Sequence, residues 1–133
     1  MKDRADLVAG LIRKAESDLL AMNASRDAGA LDAACFHAQQ AAEKALKALF
    51  QRRGADAWGH LLADLVSALP ADIEIPPDLM ERAKELDKHY IAPRYPNALP
   101  HGAPGQSYTK REAERAIENA ERILRFCQGH ILR

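Results

Sequence analysis

Residues Ala33–Phe50 read AACFHAQQAAEKALKALF, and the fold turns on how this stretch is understood. It holds neither Gly nor Pro and is rich in strong helix formers. Turned at about 100° per residue, Leu31, Ala34, Cys35, Ala38, Ala41, Ala42, Ala45, Leu46 and Leu49 fall on one broad apolar arc. His37, Gln40 and Lys44 fall within roughly 60° of one another on a different side, at i, i+3 and i+7. Phe36, Glu43 and Phe50 flank that polar line. Alanine loses no side-chain entropy on helix formation, and its size lets neighbouring helices come close. The stretch therefore predicts the central helix of a bundle, with one side committed to the core.

The flanking chain repeats the helical period. Over residues 3–22, Leu7, Val8, Leu11, Ile12, Ala15, Leu19 and Met22 recur at helix spacing behind an Asp3 N-cap, and Gly10 reads as a point of close packing. Residues 23–30 carry Ser25, Asp27 and Gly29 and read as a short connection. The central helix stops near Gly54, after Arg52 and Arg53. A shorter helix over 60–69 ends at Pro70, and Pro77 opens another over 78–90. Thr109 and Glu112 have capping-box spacing for a last helix running to about Gln128, closed by Gly129. Between the last two helices, residues 91–107 hold Pro93, Pro96, Pro100 and Pro104, too many for a helix. The expected fold is all-α. It is an up-and-down four-helix bundle with an additional short helix and a long Pro-rich loop before the last helix.

At 133 residues the chain fits a single domain spanning 1–133. Lys+Arg and Asp+Glu both number 19, so any nucleic-acid contact rests on a local patch and not on a global field. Small apolar side chains limit what each helix buries, which leaves room for a second copy. Cys35 and Cys127 sit in helical patterns and read as reduced core residues of a cytosolic protein, with a buried bridge between helices as the alternative. No apolar run reaches the ~20 residues of a membrane span, and the N-terminus has no signal-peptide pattern, so a cytoplasmic location is expected. No metal-binding spacing, Walker loop or GxGxxG appears, so neither a metal nor a cofactor is expected.

Two places carry chemistry. The line of His37, Gln40 and Lys44 has two readings: a face toward a phosphate or base, or a solvated polar stripe in which Glu43 pairs with Lys47 and does nothing else. The second place is His89-Tyr90-Ile91-Ala92-Pro93-Arg94-Tyr95-Pro96. Arg94 stands between two prolines, and guanidinium is the usual partner of phosphate oxygens. Tyr90, Tyr95 and Tyr108 are the chain's three tyrosines, all in or beside this segment, where rings can stack on bases or pin the loop to the bundle. Arg94 and His101 would also suffice for metal-independent RNA cleavage, one holding phosphate and the other moving a proton.

Residues 35–47, CFHAQQAAEKALK, together with Leu86-Asp87, Tyr90-Ile91 and Arg94-Tyr95-Pro96 within 83–104, resemble the HEPN family, the higher eukaryotes and prokaryotes nucleotide-binding domain. The resemblance covers nearly the whole chain. It implies a helical bundle that forms a homodimer, and a small nucleotidyltransferase as partner in a toxin–antitoxin-like system. Ribonuclease branches of that family place four to six residues between the Arg and the His, a spacing that Arg94 and His101, with six between them, satisfy. Tyr95 and Pro96 follow Arg94 where those branches carry a polar residue, so this sequence looks more like the Arg-Tyr-Pro branch. In some pairs the transferase modifies a tyrosine near the motif, which makes Tyr95 and Tyr108 candidate acceptors.

The resulting expectation is a module binding nucleotide or RNA phosphates. Lys44 and Arg94 neutralise charge, His37 and Gln40 donate or accept hydrogen bonds, and Tyr90 or Tyr95 stacks. The alternatives are a ribonuclease toxin using Arg94 and His101, and a non-catalytic interaction protein.

Overall fold

The computed structural model describes residues 3–91 and 108–132. Five helices appear among them, α1 Arg4–Asp27, α2 Leu31–Arg52, α3 Leu62–Ser67, α4 Leu79–Ile91 and α5 Lys110–Ile131, and none of the described residues is a strand. The Pro-rich segment and its candidate residues Arg94, Tyr95 and His101 lie outside the described residues.

The alanine arc does what its composition demands. Ala34, Cys35, Ala38, Ala41, Ala42, Leu46 and Leu49 are all 0% exposed. Each of the other four helices packs on α2. Arg52 Nε donates to the Ile131 carbonyl at 3.2 Å, tying the C-terminal ends of α2 and α5, which run parallel. Across α4 and α5, Asp78 meets Arg122 and Glu85 meets Arg115, so those two helices are antiparallel. Both cysteines are free and buried. No helix among the described residues is long and apolar enough to cross a membrane.

The helix ends follow local chemistry. Asp3 accepts from the Asp6 amide, and Thr109 with Glu112 forms the full capping box. Gly54, at φ +78°, ends α2: its amide reaches the Gln51 carbonyl and the Ala55 amide reaches the Phe50 carbonyl, a Schellman closure.

Four expectations need correction. First, α1 continues through residues 23–27. The same closure, Gly29 to Arg26 and Ala30 to Ser25, forms only where Gly29 takes a positive φ. Second, Leu7 stays 37% exposed, and an added Cβ at Gly10 would meet only the Arg13 guanidinium, at 3.8 Å, so Gly10 marks no close approach. Third, α3 is shorter than 60–69 and leaves His60 outside it. Fourth, α5 runs straight through Gly129 to Ile131.

Candidate functional site

The polar line of α2 is a hydrogen-bonded chain anchored at one end by α1. Asp18 reaches across so that one carboxylate oxygen lies 3.0 Å from His37 Nδ1 and the other 3.6 Å from Lys44 Nζ. Lys44 also donates to Gln40 Oε1 at 2.8 Å. His37, Gln40 and Lys44 are thus brought together, with the Lys44 ammonium already facing a carboxylate.

From Gln40 the line turns inward. Gln40 Nε2 donates to Gln39 Oε1 at 2.6 Å, and Gln39 Nε2 donates to Glu43 Oε1 at 3.3 Å and to the His60 carbonyl at 3.1 Å. Gln39 is 0% and Glu43 3% exposed, positions where an unpartnered amide or carboxylate would cost several kcal/mol. Glu43 is partnered by Lys47 Nζ at 3.1 Å and His60 Nδ1 at 3.0 Å. The pairing with Lys47 expected from sequence is therefore present, but Glu43 does more than that. A carboxylate beside Nδ1 selects the tautomer with the proton there and leaves Nε2 directed away.

His60 carries the line to α4. Its ring stacks on Tyr90 with centroids 5.1 Å and planes 12° apart. Beside it, Asp87 of α4 accepts from the amides of Leu62 at 2.6 Å and Ala63 at 3.1 Å. It caps α3, whose own N-cap residue Leu61 supplies no side-chain bond. Burial pushes the Asp87 carboxyl above the usual carboxylate range; the two amides pull the other way, and Asp64 and Glu43 add to the rise.

Tyr108 sits apart from this line. It packs against the core with its ring tilted on His89 at 5.6 Å, and burial pushes its hydroxyl up. Burial also pushes the Cys35 thiol up to about 12 and raises Cys127, so neither is a ready thiolate. Arg94 stands four residues beyond Tyr90, at most about 14 Å of extended chain.

Sequence reasoning gave no role to Asp18, Gln39, His60 or Asp87, although Gln39 and Asp87 lie in the two segments that carried the resemblance. In the helical pattern Gln39 left a readable sign: it falls beside Cys35, Ala42 and Leu46 on the apolar arc, where a glutamine needs a partner. The others act through residues 17 to 26 positions away, as in Asp18 with Lys44, His60 with Glu43 and Asp87 with Leu62.

A family model described as the HEPN domain matches residues 8–130. The crystal structure of TT1696 from Thermus thermophilus superposes with a TM-score of 0.90 at 45% identity, covering 92% of this chain and 97% of that one. That of ST0689, described as an archaeal HEPN homologue, gives 0.78 at 37% identity over 98% and 99% of the two chains. A HEPN domain protein from Thermotoga maritima gives 0.77 at 43% identity over 93% and 98%. A relative named "Putative toxin MJ1304", from Methanocaldococcus jannaschii, is 27% identical over 85% of this chain and 80% of its own length.

Proposed function

The chain belongs to the HEPN domain family, and on that premise we propose that it binds the phosphates of a nucleotide or nucleic acid, beside a small nucleotidyltransferase in a toxin–antitoxin-like pair. The observation that carries this reading is the continuous line from Asp18 through Lys44, Gln40, Gln39 and Glu43 to His60 and Tyr90, which ends four residues short of Arg94. Lys44 and Arg94 neutralise phosphate, His37 and Gln40 make hydrogen bonds to it, and Tyr90 or Tyr95 stacks. Asp18 holds Lys44 and His37 in place, which lowers the ordering cost of binding. It also competes with the phosphate for Lys44. The toxin-named relative supports the toxin–antitoxin setting, and the family supports the homodimer and the transferase partner.

Binding of a labelled RNA oligonucleotide and of ATP tests the reading. Arg94→Ala and Lys44→Ala each weaken binding and reduce the salt slope by about 1, while the thermal midpoint shows that the bundle stays folded. Asp18→Asn removes the competing carboxylate and strengthens binding. Unchanged affinity in both alanine variants removes the proposal. A gene for a small nucleotidyltransferase beside this one checks the partner.

A further inference from the structure

We propose that Trp58, His60 and Tyr90 form a stacking site for the unpaired bases of a single-stranded nucleic acid. The proposal rests on the phosphate-binding reading and adds to it the part of the ligand that phosphate contacts leave unread.

Trp58 is the only tryptophan in the chain, and it is 85% exposed. An indole left in water forgoes one of the largest burial gains any side chain offers. The backbone that presents it is anchored on both sides. Before it, Gln51 Nε2 donates to Asp56 Oδ1 at 2.8 Å. After it, Gly59 turns the chain at φ +90°, a conformation side-chain-bearing residues rarely adopt. The His60 carbonyl is then fixed by buried Gln39 at 3.1 Å. Trp58 is thus held out from a fixed turn.

Two residues on, one face of the His60 ring lies flat on Tyr90, and the side chain is still 55% exposed. Glu43 fixes the orientation of that imidazole at 3.0 Å. Of the chain's seven aromatic residues, Tyr90 stacks on this oriented imidazole and Trp58 stands two residues from it in the chain.

Among the described residues Lys47 faces Glu43 and Lys44 faces Asp18. What the corner offers beside those pairs is ring faces. An unpaired base offers such a face, whereas a base inside a duplex is covered on both sides.

With a single tryptophan, intrinsic fluorescence of the full chain reports on this corner alone. The probes are a single-stranded RNA ten-mer, the blunt duplex of the same sequence, and AMP, with binding followed in parallel by anisotropy of the labelled strands. The single strand quenches Trp58 and the duplex does not; quenching by AMP as well shows that one base suffices. Trp58→Ala and Tyr90→Ala weaken strand binding by about 5- to 150-fold. Neither changes the salt slope, which Arg94→Ala does. Trp58 is exposed, so its variant keeps the wild-type melting temperature. A strand that binds by anisotropy without quenching, or equally well to Trp58→Ala, overturns the stacking site and leaves the phosphate reading standing. Equal quenching by the duplex overturns it too. So does emission that responds to protein concentration and not to RNA, which would assign Trp58 to an interface between copies. A chain that binds no strand at all fails at the phosphate reading first.

Discussion

Helix α4 borders two polar clusters of opposite design. Toward α5, Asp78 takes Arg82 at 2.8 Å and Arg122 at 3.2 Å, while Glu85 takes Arg115 through bonds of 2.9 and 3.0 Å and Asn119 at 3.2 Å. Every cation there is a guanidinium, permanently charged and shaped to fork onto a carboxylate. Toward α2 the partners are ammonium and imidazole, the carboxylate Glu43 is buried, and the line ends at the half-exposed His60 ring stacked on Tyr90. The carboxyls respond in opposite ways. Hydrogen bonds from arginine hold Asp78 and Glu85 below the usual range, whereas burial holds Asp87 above it. The α5-side cluster turns its hydrogen bonds on itself and clasps two helices. The α2-side cluster leaves the His60 ring half exposed. The two clusters differ less in their number of ion pairs than in what each leaves exposed.

The contrast breaks most visibly at Glu43. Glu43→Ala leaves Gln39, Lys47 and His60 without their shared acceptor next to the core, and a loss of about 3 kcal/mol in urea unfolding is expected. A cost below about 1 kcal/mol would mean that this carboxylate does not organise the α2 side. Asp87 comes next. Asp87→Ala strips the acceptor from the Leu62 and Ala63 amides and should cost about 2 kcal/mol, with α3 the first element to lose amide protection.

Much of the fold could be read in advance because its signals are local. The alanine arc, the Asp3 cap, the Thr109–Glu112 box and the Gly54 stop each act within a few residues of themselves. The errors came where composition imitated a signal. Residues 23–27 look like a turn, yet only Gly29 supplies the positive φ that stops α1. Gly129 looks like a stop and lies inside α5. At the site, spacing brought out His37, Gln40 and Lys44 because they share a helix. It could not bring out Asp18, His60 or Asp87, whose roles are set by partners on other elements. Trp58 has no periodic neighbour at all, and only its exposure draws notice.

The smallest effect belongs to the α5 side and gives the sharpest sign test. Glu85 and Arg115 are 33% and 46% exposed, so solvent screens them, and a double-mutant cycle should find a coupling of about 0.5 to 1 kcal/mol that shrinks with salt. The acid response separates the two sides more cleanly than size does. Glu85 has a folded value below its unfolded one, so its contribution is present above the unfolded pKa and is lost as pH falls through the folded one. Asp87 has a folded value above its unfolded one. Between the two, the folded state binds more protons, and stability from this group rises as pH falls through the folded value. Glu85→Gln should therefore flatten the loss of stability on acidification, and Asp87→Asn should steepen it, each measured as urea midpoints between neutral pH and about pH 3. Shifts of the same sign in both variants would show that the two clusters respond to protons alike and dissolve the distinction.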